Sequence, residues 1–157
     1  MTFIAEKDPG LIPQILSVIL DECVNGVTLA DPDQEDMPIV YANKAFENIT
    51  GYSQQDIIGH NCRFLQGTDR EQEARYQITE ALKNNNEVNV TIRNYKKNGE
   101  LFYNRLKIAP LFDRHGKVIY YLGVQYDVTE QVRAEQEIKD LNIRLEDMSG
   151  TSTKILK

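Results

Sequence analysis

The sequence predicts an α+β domain: a five-stranded antiparallel sheet with helices over one face and helical extensions at both ends. Three observations carry this reading. Both terminal stretches have helical periodicity, residues 87–126 alternate with period two around an Asn-Gly turn, and the middle is cut into short pieces by glycines at 51, 59 and 67. Taken in order, Ile12, Ile15, Leu16, Ile19, Leu20 and Cys23 form one apolar face of an amphipathic helix, which Gly26 ends. Two short strands follow, Val27–Ala30 and Ile39–Ala42, joined by the Asp- and Pro-rich turn Asp31–Pro38. After the short helical pieces, Thr68 and Glu71 have capping-box spacing and predict a helix to about Leu82, with Asn84-Asn85-Asn86 as its stop. Val88, Val90 and Ile92 then alternate with Asn89, Thr91 and Arg93, as a half-buried strand requires. Asn98-Gly99 is a strong hairpin signal, Leu101–Ala109 is the returning strand and Val118–Tyr126 is the next. A charged helix over Val128–Met148 and a polar tail complete the chain. The organisation expected is a helical cap (1–24), a core (25–127), a C-terminal helix (128–148) and a tail (149–157).

Composition narrows the function classes. Lys and Arg number 18 against 24 Asp and Glu, a net charge of −6, so no basic footprint for nucleic acid is expected. No apolar run approaches the roughly 18 residues of a membrane span, and the N-terminus does not read as a signal peptide. Two cysteines, Cys23 and Cys62, make no disulfide framework and suit a reducing cytoplasm. His60 and His115 lack metal-ligand spacing, so a structural zinc site is not expected.

Side-chain parity in the late strands bears on chemistry. Ile92 shares a face with Asn94, Asn104 shares one with Leu106 and Ile108, and Gln125 lies two after Gly123. If these faces coincide, three amides converge within an aliphatic wall, where a planar heterocycle with donors and acceptors along one edge would satisfy them. If they do not, the amides point to water; parity alone leaves both readings open. On a short helical piece, Asn61-Cys62-Arg63-Phe64-Leu65-Gln66-Gly67 sets a thiol beside an amide and a guanidinium suited to phosphate. No His–carboxylate pair in sequence reach makes Cys62 the nucleophile of a hydrolase.

The segment Gly59–Gly67, GHNCRFLQG, resembles the signature of LOV domains, the flavin-binding light-oxygen-voltage branch of the PAS family. Asn43-Lys44-Ala45-Phe46, Thr50-Gly51-Tyr52, Asn94 through Gly99, Asn104 and Gly123-Val124-Gln125 support it in order and spacing. The resemblance implies a blue-light photoreceptor holding FMN, in which Cys62 forms a reversible light-driven bond to flavin C4a. It implies that Asn94 and Asn104 bond the pyrimidine side of the ring, and that Gln125 contacts O4 and N5 and reorients. By the same resemblance Asn61 and Gln66 line the cavity, Leu65, Leu106 and Ile108 touch the ring face, and Arg63 binds the phosphate. The usual second phosphate arginine falls at Thr79, with Arg75 the expected substitute one helical turn earlier; Thr28 lies near the thiol and Ala30 replaces a common threonine.

No Walker or kinase signature is present, so the expectation is a cytoplasmic photosensory module without turnover; a flavin enzyme and a scaffold for another ligand are the rivals. On the last helix Val128 and Val132 share one phase, while Ala134, Ile138, Leu141, Leu145 and Met148 follow coiled-coil spacing. They predict a homodimer through the terminal helices that signals to a downstream effector the sequence does not identify.

Overall fold

Asn43 shows how local sequence sets the architecture. The computed structural model of the chain describes residues 11–155. Helix α1 (Leu11–Glu22) leads to strands β1 (Gly26–Ala30) and β2 (Ile39–Ala42), and Asn43 caps the helix that follows, α2 (Lys44–Thr50). Its Oδ1 accepts from Phe46 N at 3.1 Å and Val27 N at 2.8 Å, and its Nδ2 donates to Leu20 O at 2.7 Å and Asn25 O at 3.0 Å. One buried amide thus joins backbone groups of a helix start, a strand and the end of α1.

The chain continues through α3 (Gln54–Ile57), a 3₁₀ helix (Cys62–Gln66) and α4 (Glu73–Lys83) to β3 (Val88–Tyr95), β4 (Leu101–Phe112), β5 (Val118–Asp127) and α5 (Thr129–Ile155). The five strands form one sheet in the order β2-β1-β5-β4-β3, every neighbouring pair antiparallel. The α+β fold expected from the sequence is the one observed. Gly99, at φ +88, supplies the left-handed backbone of the β3–β4 hairpin. Strand β4 runs past Ala109 through Pro110. Its pairing with β3 ends at Ile108, so from there it has a neighbour on one side only, where proline is tolerated. Two apolar clusters fill the space between sheet and helices. Phe46 and Ile57 centre one, with Ile39, Ala42 and Leu65; the other joins Val90, Ile92, Leu106, Ile108 and Tyr121, with Ile78 and Leu82 of α4 against it.

Two helix boundaries differ from expectation. Helix α4 starts at Glu73, with Gln72 as its N-cap, and Thr68–Glu71 lie outside it. Tertiary bonds override the capping-box pattern there. Asp69 accepts from Arg93 Nε at 2.7 Å, Arg93 Nη2 at 2.9 Å and Tyr95 OH at 2.7 Å. The Gln72 side chain bonds both backbone groups of Arg93, accepting from N at 2.8 Å and donating to O at 3.0 Å. Because β3 is an edge strand, these contacts also cover part of its unpaired backbone. Second, α5 continues past Met148 to Ile155. Gly150 costs only about 1 kcal/mol inside a helix, too little to stop one already nucleated upstream. On the expected apolar face of α1, Leu16 and Ile19 are exposed and Leu20 and Cys23 half-buried, while the side chains of Ile12 and Ile15 and the first ten residues of the expected cap lie outside the described residues.

The chain divides into two units, one ending at Asp127 and one starting at Val128. Along the second, Val128 and Val132 are half-buried, whereas Ala134, Ile138, Leu141, Leu145 and Met148 are exposed. Among the described residues no helix is long and apolar enough to cross a membrane.

Arg93 and Tyr95 hold the Asp69 carboxyl at about 2, against about 3.9 in an unfolded chain. A carboxyl depressed in the folded state stabilises it above the unfolded value, and that contribution disappears as pH falls toward the folded value. Wild type should therefore melt higher than Asp69→Asn at neutral pH, and the gap should close between about pH 4 and pH 2. Melting curves of both proteins across that window check this; a gap independent of pH would contradict it.

Candidate functional site

Strand pairing settles the parity question. Thr28 and Ile108 both lie opposite Gly123, Gly26 and Leu106 both lie opposite Gln125, and Ile92 lies opposite Asn104. Opposed residues share a face, so Thr28, Asn94, Asn104, Leu106, Ile108 and Gln125 all project from one side of the sheet. That side borders a cavity of about 290 Å³. From across it the 3₁₀ helix contributes Cys62, Arg63, Leu65 and Gln66 together with its N-cap Asn61, and α4 contributes Arg75. All twelve residues singled out in the sequence line this cavity, and so do Thr79 and Ala30.

The 3₁₀ helix is fixed at both ends. Asn61 Oδ1 accepts from Arg63 N at 3.0 Å and its Nδ2 donates to Asp36 O at 2.7 Å, so its amide is spent on backbone. Gly67 ends the helix at φ +55 and ψ −128, a conformation only glycine adopts readily. Between these caps, Cys62 retains accessible surface and borders the cavity, yet the protein packed around its sulfur pushes the thiol up. It is a neutral thiol at physiological pH, not a thiolate poised for hydrolysis.

The polar lining is incompletely satisfied. Asn104 Nδ2 donates to Asn94 Oδ1 at 3.0 Å, and Gln125 Nε2 donates to Thr28 Oγ1 at 3.3 Å. Gln66 Oε1, Asn104 Oδ1, Gln125 Oε1 and Arg70 Nε are buried without a partner. An orphaned buried polar atom costs about 1–3 kcal/mol, and a native chain carries few. Four around one cavity are complementary to a ligand that presents several polar groups within an apolar frame. Leu65, Leu106, Ile108 and Ile92 supply that frame.

Several apolar lining residues, among them Met37, Ile78 and Leu82, and two polar ones, Arg70 and Tyr121, escaped the sequence reading. Arg70 lies between the 3₁₀ helix and α4; the mistaken capping box placed it inside a helical turn, although its position between Arg63 and Arg75 was a usable signal. Its backbone O accepts from Arg75 Nη1 at 3.2 Å, which links the two arginines. Tyr121, which the sequence places in the last strand, also borders the cavity, with its hydroxyl donating to Leu82 O at 3.2 Å and Asn85 Oδ1 at 3.0 Å. Arg63, expected at a phosphate, is paired in the structure with Asp36.

Gly123 keeps the amides in place by having no side chain. A Cβ there would lie 2.6 Å from Thr28 Oγ1 and 2.8 Å from Gln125 Nε2. Gly123→Ala should lower unfolding stability by about 1–3 kcal/mol through overpacking, read by urea denaturation. A change under about 0.5 kcal/mol would mean the pair moves aside freely.

Comparison with known proteins agrees with this geometry. A family model described as PAS domain matches residues 24–130, well over half of the chain. A protein of Listeria monocytogenes named blue-light photoreceptor is 40% identical over 124 residues, covering 79% of this chain and 49% of that protein. A blue-light-activated histidine kinase of Rhizobium johnstonii is 46% identical over 109 residues, covering 69% of this chain and 32% of that protein. The chain thus spans less than half the length of these relatives. The solved structure of an RNA-binding light-oxygen-voltage receptor superposes with a TM-score of 0.81 at 34% identity, covering 94% of this chain and 41% of that one. Fold, cavity and relatives together place the chain in the LOV branch of the PAS domain family.

Proposed function

We propose that this chain is a blue-light photosensory module that binds FMN and uses Cys62 as its photoactive thiol. The observation that carries the proposal is the set of four unpartnered buried polar atoms around the same apolar-walled cavity that Cys62 borders. Amide side chains can turn to present either a donor or an acceptor. Asn94, Asn104 and Gln125 therefore suit the edge of an isoalloxazine ring, with Leu65, Leu106 and Ile108 against its faces. Thr28 shares the Gln125 amide, and Gln66 adds a further acceptor. Bound FMN supplies blue-light absorption and the carbon to which Cys62 reversibly bonds.

Arg63, Arg70 and Arg75 are the cations for a phosphate. Only five residues separate the 3₁₀ helix end at Gly67 from α4 at Glu73, which favours a mononucleotide over a flavin bearing adenine. The protein's own contribution is positional. The protein packed around its sulfur raises the Cys62 thiol above its ordinary value, and the caps at Asn61 and Gly67 hold it at the cavity wall. No turnover is needed; the relatives named as kinases extend well beyond the part they share with this chain. We place the module in the cytoplasm, with the output passing to an effector outside the matched region.

The absorption spectrum before and after blue light tests this reading. The purified chain should carry a blue-absorbing flavin that bleaches in light and recovers in the dark. Mass spectrometry should identify the released flavin as FMN. Cys62→Ala should keep the flavin, fluoresce more and lose the reversible bleaching; bleaching that persists in the variant would remove Cys62 from its role.

Output is assigned to the terminal helices. Gln125 sits two residues before β5 ends, so a turn of its amide would alter hydrogen bonding at the strand end that leads into α5. The exposed apolar seam of α5, with Leu16 and Ile19 exposed on α1, suits a second copy of this chain. We expect a homodimer whose scattering profile changes with light, and Gln125→Leu should keep the bleaching but blunt that change. A monomer at high concentration in both states would remove the dimer. An undiminished response in the variant would remove the Gln125 route.

A further inference from the structure

The β1–β2 loop carries a carboxylate that the flavin reading does not use. Asp36 and Met37 both adopt left-handed backbone, at φ 64 and φ 48, a region tolerated by aspartate and unusual for methionine. Polar contacts hold the loop in this form. Asn61 Nδ2 donates to Asp36 O at 2.7 Å and reaches Met37 O at 3.4 Å, and the Asp36 carboxylate pairs with the Arg63 guanidinium. Arg63 and Met37 both border the cavity, and the ion pair sits at its rim with the Arg63 and Asp36 side chains 42% and 56% exposed. Among the described residues, Arg63 is the one cavity arginine paired with a carboxylate; Arg70 and Arg75 make no such pair.

We propose that Asp36 is a specificity-determining residue: a built-in anion that competes with the ligand's phosphate for Arg63 and so weakens the preference for a phosphorylated flavin over an unphosphorylated one. The inference rests on the flavin reading above and adds to it a residue that no motif marks. A guanidinium presents one planar fork of donors, and an anion already seated on it leaves fewer donors free for a second. The two anions would also repel each other across a short distance. Arg63 holds the Asp36 carboxyl below its ordinary range, so the competitor stays ionised throughout the neutral region. Because the pair is exposed to solvent, the competition is modest and tunes selectivity without abolishing phosphate binding.

The test uses the full chain freed of bound flavin, titrated with FMN and with riboflavin and followed by flavin fluorescence. Asp36→Asn is the informative variant, since asparagine also tolerates left-handed backbone and leaves the Asn61 contact to the residue 36 carbonyl intact. The expected result is an affinity for FMN raised roughly two- to fivefold, on the scale of an exposed ion pair, with riboflavin affinity unchanged. In an Arg63→Gln background the same substitution should leave the FMN-to-riboflavin ratio where it was. A ratio that stays constant or falls in Asp36→Asn, or rises equally without Arg63, overturns the inference. A wild-type chain that takes up neither flavin would overturn the proposed function itself, and the inference with it.

Discussion

The register of the central sheet is the constraint on which the remaining structure depends. With β5 between β1 and β4, each row of opposed residues puts three strands' side chains on a common face, and that face holds both the wall of the apolar core and the polar lining of the cavity. A slip of one residue would turn Gln125 outward and Val124 inward, exchange Asn104 for Tyr103 or Arg105, and empty the cavity of its amides. Register is held from several directions. Gly123 permits the close approach of Thr28 and Gln125, Asn43 ties β1 to α2, and the Gln72 side chain grips the outer edge of β3. The same packing that stabilises the sheet therefore fixes where the chemistry stands.

Much of this was legible because strands have a strict period. Parity placed Ile92 with Asn94 and Asn104 with Leu106, and only the pairing between strands was needed to join those faces. The hairpin at Asn98-Gly99 and the helix stop at Asn84–Asn86 were legible because turn chemistry is local. What escaped depends on partners distant in sequence. Nothing near Thr68 reveals that Asp69 is held by Arg93 and Tyr95, so a local capping pattern was credited with a helix start that tertiary bonds move to Glu73. Pro110 hides the length of β4, since a proline argues against a strand until its edge position is known. The pairing of Arg63 with Asp36 crosses 27 positions and leaves no periodic trace.

The cavity also shows a division between stability and function. The apolar clusters around Phe46 and Ile57 and around Val90 and Ile92 are nearly fully buried and supply the driving force for folding. The amides and Arg70 oppose it, because atoms removed from water without partners destabilise the chain. A core built for stability alone would place aliphatic residues at Gln66, Asn104 and Gln125. Their persistence as buried polar groups is intelligible if a ligand completes their bonds, and such a ligand would raise the stability of the folded chain in proportion to its affinity.

The position of the thiol follows from the same economy of contacts. Cys62 opens a short 3₁₀ helix whose geometry has little intrinsic stability, so neighbouring residues must hold it. Asn61 does so with one side chain: its oxygen caps the helix at Arg63 N, and its nitrogen reaches across to the loop at Asp36 O. Arg63, the next residue after the thiol, grips the same loop through its guanidinium. Thiol, arginine and loop are consequently one mechanical unit. Any change in the loop's left-handed turn is transmitted to the residue on each side of Cys62, while the sheet beneath remains fixed by its own ladder. The rigid strands set the direction of the amides, and the loop and 3₁₀ helix together set where the sulfur stands relative to them.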